Sequence, residues 1–178
     1  FLVVAFSVSM LSISSDILRE YREYERTNTT CLNTALMPLL TDYHEKLTTN
    51  LKSLKIYSPF YIMRSSGGLA QAEEISKQPI TAALSGPAAG VIAATHFGVL
   101  AEMPNLICFD VGGTSADICL VEQGKPRMLT EGRVDIYDVK TPMIDIHAVG
   151  AGGGSIAWLA GGRSLKVGPD SAGSSPGP

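Results

Sequence analysis

The stretch Phe109-Asp110-Val111-Gly112-Gly113-Thr114-Ser115-Ala116-Asp117 constrains this chain more than any other segment. It lies between two apolar runs, 106–109 and 118–121, so it reads as strand, tight glycine turn, strand. Gly112 and Gly113 let the backbone approach a ligand closely and offer N–H donors. Thr114 and Ser115 add hydroxyl donors. Such a tip suits a nucleotide phosphate. Asp110 repels phosphate directly, so its useful role there is to hold Mg²⁺ through water. Asp117 is a second candidate, for the metal or for structure. The Walker signature G-x-x-x-x-G-K-[ST] is absent, so the turn is not a P-loop. An ordinary hairpin turn fits the same residues, because aspartate and glycine supply turn geometry by themselves.

The surrounding composition narrows the choice of partner. The chain has 178 residues, of which 45% are apolar, enough for a sizeable core in one domain or two small lobes. The net charge is −3 and Lys and Arg are scattered singly, which disfavours nucleic acid. The three cysteines, Cys31, Cys108 and Cys119, form no C-x-x-C pair, which argues against a disulfide framework or a zinc site. Cys108 and Cys119 flank the glycine turn and are placed to face each other across a hairpin as two small buried hydrophobes. A reducing cytoplasm fits. The apolar N-terminal run, 1–11, is too short to span a membrane and lacks a basic leader, so no membrane association is expected. It reads as a buried strand over 2–9. The chain stops in the turn-rich Ser174-Ser175-Pro176-Gly177-Pro178, and both ends predict a fragment of a longer protein.

Between these points the pattern alternates helix and strand. Asp16 is placed to cap a charged helix over 17–25. The cluster Thr27-Asn28-Thr29-Thr30 reads as the start of a long amphipathic helix carrying Leu32, Leu36, Leu39, Leu40, Tyr43, Leu47, Leu51 and Leu54, with Pro38 a kink or break. Asn28-Thr29-Thr30 matches a glycosylation pattern, taken as coincidence without a secretory leader. A strand is expected over 57–63 and a short helix over 69–77, ended by Gln78-Pro79. Pro87 suits the first turn of a helix over 86–100, and Ala88, Ala89, Gly90, Ala93 and Ala94 let another backbone come close. After the glycine turn, Gln123-Gly124 makes a turn and 127–130 pairs back. A further strand lies within 139–149, and Gly150-Ala151-Gly152-Gly153-Gly154-Ser155 leads into a hairpin turning at Ala160-Gly161-Gly162.

The order of these segments is more specific than any one of them. Arg22-Glu23-Tyr24-Glu25-Arg26-Thr27-Asn28-Thr29-Thr30 is followed by Ser65-Ser66-Gly67-Gly68-Leu69 and Leu84-Ser85-Gly86-Pro87-Ala88-Ala89-Gly90-Val91. Then come the Asp110 turn, Pro142-Met143-Ile144-Asp145-Ile146-His147, Val149-Gly150-Ala151-Gly152-Gly153-Gly154-Ser155-Ile156-Ala157-Trp158 and Val167-Gly168-Pro169-Asp170-Ser171-Ala172-Gly173. Across essentially its whole length the chain resembles the hydantoinase A/5-oxoprolinase family, whose relatives include ATP-binding subunits of acetone-type carboxylases. The resemblance implies an α/β fold of the ribonuclease H-like, actin-like ATPase superfamily, in which two lobes clamp a nucleotide. It places the end of the first lobe and a connecting helix in 1–104, and the start of the second lobe in 105–178. The turn at Asp110 then resembles the second phosphate loop. The family's first loop, another Asp-Gly-Gly-Thr, is absent, and Ala116 stands where relatives commonly carry Thr. The nucleotide pocket of the fragment is therefore expected to be incomplete and the fragment alone inactive.

The implied activity is ATP-dependent hydrolytic ring opening of a cyclic amide, a hydantoin or 5-oxoproline. ATP and Mg²⁺ are the implied cofactors and a B-type hydantoinase subunit or domain the implied partner. Asp110 is assigned to Mg²⁺, and Gly112, Gly113, Thr114 and Ser115 to phosphate. Gly152, Gly153 and Gly154 wrap substrate or phosphate, or allow close strand packing. Asp145 and His147, one residue apart, share a strand face and stand as a catalytic pair or as a hydrogen-bonded pair fixing the loop. Ser155 has no visible base partner for a nucleophilic role, and His44 and His96 read as structural. Two alternatives remain open: a small-molecule kinase of the same superfamily, and a non-catalytic ATP-coupling subunit of an acetone-type carboxylase.

Overall fold

The computed structural model describes residues 3–7, 10–134, 136–173, 175 and 177, with the backbone alone for 6 and 7. Residues 2, 8 and 9 of the expected N-terminal strand, and Ser174, Pro176 and Pro178 of the turn-rich end, lie outside that set. The N-terminal run forms a hairpin where one strand was expected: β1 (Val3–Ser7) pairs antiparallel with β2 (Met10–Ile13). It is not a buried strand either, since Val3 and Leu11 are exposed.

The helix expected over 17–25 does not form. A single turn, α1 (Ser14–Ile17), gives way at Leu18 to extended backbone. The Glu20 carbonyl accepts from Arg26 Nη1 at 2.9 Å and the Glu20 carboxylate pairs with Lys140, so tertiary contacts override the local helix pattern. The long helix, α2 (Glu23–Ser53), begins earlier than the threonine cluster predicted. Thr29 and Thr30 lie inside it and are fully buried. Thr30 Oγ1 donates to the Arg26 carbonyl at 2.6 Å and Thr34 Oγ1 to the Thr30 carbonyl at 2.9 Å, which satisfies hydroxyls that would otherwise disfavour a buried helix face. Pro38 lies within α2 and does not end it.

The strand expected over 57–63 shortens to β3 (Tyr61–Met63) and pairs with β4 (Leu69–Gln71). The expected helix over 69–77 thus loses its first three residues to a hairpin, whose turn is closed by Gly67 at φ 86°. The rest forms α3 (Ala72–Lys77), followed by a 3₁₀ turn, Pro79–Ala82. The helix expected over 86–100 is present as α4 (Ser85–Leu100).

Next comes the glycine-turn hairpin: β5 (Leu106–Val111) and β6 (Ala116–Glu122) pair in register from Leu106↔Val121 to Val111↔Ala116. Gln123 and Gly124, at φ 51° and 71°, supply the two left-handed residues of a tight hairpin turn into β7 (Lys125–Pro126). The return expected over 127–130 is partial. Arg127 still donates to the Leu120 carbonyl at 3.0 Å, but β8 (Met128–Leu129) leaves the sheet. After β9 (Gly132–Val134) and β10 (Tyr137–Val139), which pair together, β11 (Met143–Ile144) pairs with β8. The strand expected within 139–149 is therefore broken into three, the last being β12 (His147–Val149) on β6. The chain ends in a hairpin of β13 (Ser155–Ala160) and β14 (Ser164–Ser171).

The fold is thus mixed helix and strand, with every strand pairing among the described residues antiparallel. Two compact units divide it: Phe1–Ala89 with Met128–Ile144, and Gly90–Arg127 with Asp145–Pro178. The first has an apolar cluster of Ile80, Val139 and Met143, against which Leu32, Leu36 and Leu129 pack. In the second, β12, β6 and β5 lie side by side and β7 extends the β6 edge. The compact units are not contiguous in sequence: the contacts of 128–144 lie with the first and those of 90–104 with the second.

Candidate functional site

All the residues singled out for chemistry lie in the second unit. Asp110 and Asp117 are register partners across the β5–β6 hairpin, and Asp117 in turn faces Ala148. Directly opposed residues of an antiparallel pair share a sheet face, so the two carboxylates stand on one face. Beside Asp110 lies α4: a Cβ on Gly90 would stand 3.6 Å from Asp110 Oδ2. Gly90 thus leaves room for the carboxylate.

The turn between the strands is closed by the Gly112 N–H, which donates to the Ser115 carbonyl at 2.8 Å. The glycine-rich segment 150–155 packs directly against it. Gly153 donates to the Gly112 carbonyl at 2.9 Å and Gly154 to the Gly113 carbonyl at 2.7 Å. Gly152 donates to Ser155 Oγ at 2.7 Å. These three N–H groups are therefore spent within the protein. Those of Gly113 and Thr114 meet no carbonyl acceptor among the described residues. The segments 112–115 and 152–154, separate in the sequence reading, form one interlocked pair of loops.

Asp145 and His147 come together, with His147 Nε2 3.2 Å from Asp145 Oδ1. Arg127, which the sequence reading did not single out, places Nε 3.2 Å from Asp145 Oδ2 and accepts from the Asp145 N–H at 2.8 Å through its carbonyl. The carboxylate is nearly buried at 9% side-chain exposure, while His147 is open at 77%. No local signal marks Arg127; only the pairing of β7 with β6 brings it there. His147 is opposite Ile118, and Ile118 opposite Phe109, so His147 stands on the sheet face away from Asp110 and Asp117. The structure groups the expected site residues in two sets: Asp110, Asp117 and the two glycine loops, and the Asp145–His147 pair.

Cys108 and Cys119 are register partners as expected, both unpaired as thiols. Cys119 is buried, and burial pushes both thiols above their ordinary range. Among the described residues no group of three or more His, Cys, Asp or Glu side chains gathers for a metal. No helix there is long and apolar enough to cross a membrane.

The hydantoinase/oxoprolinase family model matches residues 26–178. The chain belongs to that family. Within it, a 5-oxoprolinase of Pestalotiopsis fici is 38% identical over 155 residues, covering 86% of this chain and 12% of that protein. The solved structure of the ATP-dependent caprolactamase from Pseudomonas jessenii matches with TM-score 0.78 and 36% identity, over 93% of this chain and 24% of that one. The nucleotide-free structure of acetone carboxylase, solved for the mechanism of ATP-dependent acetone carboxylation, matches with TM-score 0.72 and 32% identity, over 90% and 22%. The chain spans a quarter or less of the length of each of these family members.

Proposed function

We propose that the protein to which this chain belongs opens a cyclic amide ring, a hydantoin or 5-oxoproline, by ATP-dependent hydrolysis. The observation that carries this reading is the turn 112–115, with its free Gly113 and Thr114 N–H groups beside two carboxylates on one sheet face. Consecutive free amides suit phosphate oxygens. Two carboxylates on one sheet face suit Mg²⁺, which takes one or two protein oxygens and completes its shell with water and phosphate. In this reading Asp110 holds the ion through water and Asp117 supports it. Gly112, Gly113, Thr114 and Ser115 hold phosphate, with Gly152, Gly153 and Gly154 in the same site. Bound Mg²⁺ would neutralise phosphate charge.

Strained-looking five-membered lactams are nonetheless inert, because amide resonance makes the carbonyl carbon a poor electrophile. Transfer of the terminal phosphoryl group of ATP to the ring oxygen removes that resonance and releases ADP. Water then adds to the carbon and the ring C–N bond breaks, leaving an acyl phosphate that a second water hydrolyses to the acid and inorganic phosphate, so one ATP and two waters yield a ring-opened acid. The protein's share is positioning and charge neutralisation. Asp145 and His147, the histidine on the sheet face away from the two carboxylates, stand in this reading either as a base and its orienting partner or as a pair that fixes the loop.

The likeness to known family members supports the wider frame: an actin-like ATPase with two ribonuclease H-like lobes, α4 connecting them, and a B-type subunit as partner. The unpaired thiols agree with a cytoplasmic location. The acetone carboxylase likeness supports a second reading, an ATP-coupling subunit of a carboxylase. Product analysis separates the two, giving a ring-opened acid in one case and no turnover without carboxylase partners in the other. In the full-length protein, Asp110→Ala is expected to weaken Mg-ATP binding about ten- to a hundredfold, the range for losing a contact to a charged group. Unchanged Mg-ATP affinity and turnover would sink the assignment.

A further inference from the structure

The glycine run 152–154 has its own amides occupied, so it has little left to offer a phosphate directly. What it does is fix the turn that has free amides. The Gly112 carbonyl is held by the Gly153 N–H at 2.9 Å and the Gly113 carbonyl by the Gly154 N–H at 2.7 Å. In a trans peptide the C=O and the following N–H point in opposite directions. Holding the Gly112 carbonyl toward the 152–154 segment therefore aims the Gly113 N–H away from it. Holding the Gly113 carbonyl does the same for the Thr114 N–H. Two successive donors are turned outward together, the concave arrangement that receives an anion.

The packing is tight where this orientation is set. A Cβ on Gly152 would fall 2.6 Å from the Gly112 oxygen, 2.7 Å from the Ser115 nitrogen and 2.8 Å from the Gly113 carbonyl carbon, all backbone atoms of the turn. On Gly154 it would stand 3.1 Å from the Gly113 oxygen. On Gly153 the nearest contact is an ordinary 3.7 Å. The segment is itself anchored from behind. Ala172 donates to the Gly154 carbonyl at 2.8 Å, as does Ser171 Oγ at 3.2 Å, while Ser155 Oγ takes the Gly152 N–H.

We propose that Gly152 and Gly154, braced by Ser155, are positioning residues that pre-set the direction of the Gly113 and Thr114 amides for phosphate. They are not phosphate ligands themselves. This rests on the reading of 112–115 as a phosphate turn.

The test is steady-state ATP hydrolysis by the full-length protein, with its partner subunit where turnover needs one. Gly152→Ala is expected to raise KM for ATP about ten- to a hundredfold, the scale on which an ångström of misplacement acts. Gly153→Ala, with room for its methyl, is expected to raise it less than Gly152→Ala. A purely structural role would lower the amount of active enzyme, and hence apparent kcat, at unchanged KM. Should Gly152→Ala fail to fold, Ser155→Ala adds no bulk and removes only the brace; it is expected to raise KM for ATP severalfold. If Asp110→Ala weakens Mg-ATP binding while a folded Gly152→Ala and Ser155→Ala leave KM within twofold of the parent, the positioning role is overturned and the phosphate turn survives. If Asp110→Ala leaves Mg-ATP affinity and turnover unchanged, the phosphate turn falls and the positioning role falls with it.

Discussion

One residue of register separates His147 from the carboxylate face. Ala148 lies opposite Asp117, which lies opposite Asp110, so its neighbour His147 points the other way. The spacing of Asp145 and His147 made their meeting legible in sequence. Their relation to Asp110 was not, because it depends on how β12 pairs with β6. Asp145 accepts from two cationic groups, Arg127 and His147 when protonated, and this geometry serves either a base or a brace. A conservative change distinguishes the two. His147→Gln keeps an N–H donor for Asp145 and removes the titratable nitrogen. If His147 is the base, turnover is expected to fall about a hundred- to ten-thousandfold while thermal stability and Mg-ATP affinity hold. Turnover within a few-fold of the parent would assign the pair to structure alone.

At the scale of elements, α4 and β5 show how small residues set a packing distance. In the sequence, Ala88, Ala89, Gly90, Ala93 and Ala94 read as the close-approach face. The structure adds Gly98, where a Cβ would stand 2.4 Å from Leu106 Cδ1 and 2.9 Å from the Met103 carbonyl oxygen. Gly98→Ala is therefore expected to destabilise by about 1–3 kcal/mol, the usual cost of forcing bulk into a packed contact. Gly86→Ala, in the same helix with nothing within 4 Å, is expected to be neutral or stabilising by up to about 1 kcal/mol. Denaturant melts of the two variants check the contrast; equal stabilities would refute the packing argument. The hairpins at Gly112–Gly113, Gln123–Gly124 and Gly161–Gly162 were legible because turn chemistry is local. The long helix was legible as a helix but not in its start. Its buried residues Thr29, Thr30, Asn33 and Thr34 are polar, and what satisfies Asn33 comes from far along the chain. Its Nδ2 donates to Ser12 Oγ at 3.0 Å and to the Lys77 carbonyl at 3.1 Å. Periodicity finds apolar faces and misses a buried polar one.

Over the whole molecule, the two compact units are expected to differ in how they respond to alkali. Cys108 and Cys119 both belong to the second unit, paired across β5 and β6, and burial holds both thiols above their ordinary 9.0. A thiol whose folded value is raised stays protonated in the fold after it has ionised in the unfolded chain. Its contribution is thus fully present below about pH 9 and is lost as pH rises through the folded value. The second unit should lose stability over that window for a reason the first unit does not share through these two thiols. Hydrogen exchange followed by peptide mass analysis at pH 8 and pH 10, corrected for intrinsic rates, reads each unit separately. Peptides of β5 and β6 are expected to lose protection at the higher pH, and the Cys108→Ala, Cys119→Ala double variant to lose less of it. Alanine deletes the ionisable sulfur and leaves its space empty; the packing defect this makes would lower protection at both pH values, whereas the thiol effect appears only in the alkaline step. An alkaline loss of the same size in parent and double variant would remove the thiols from the account.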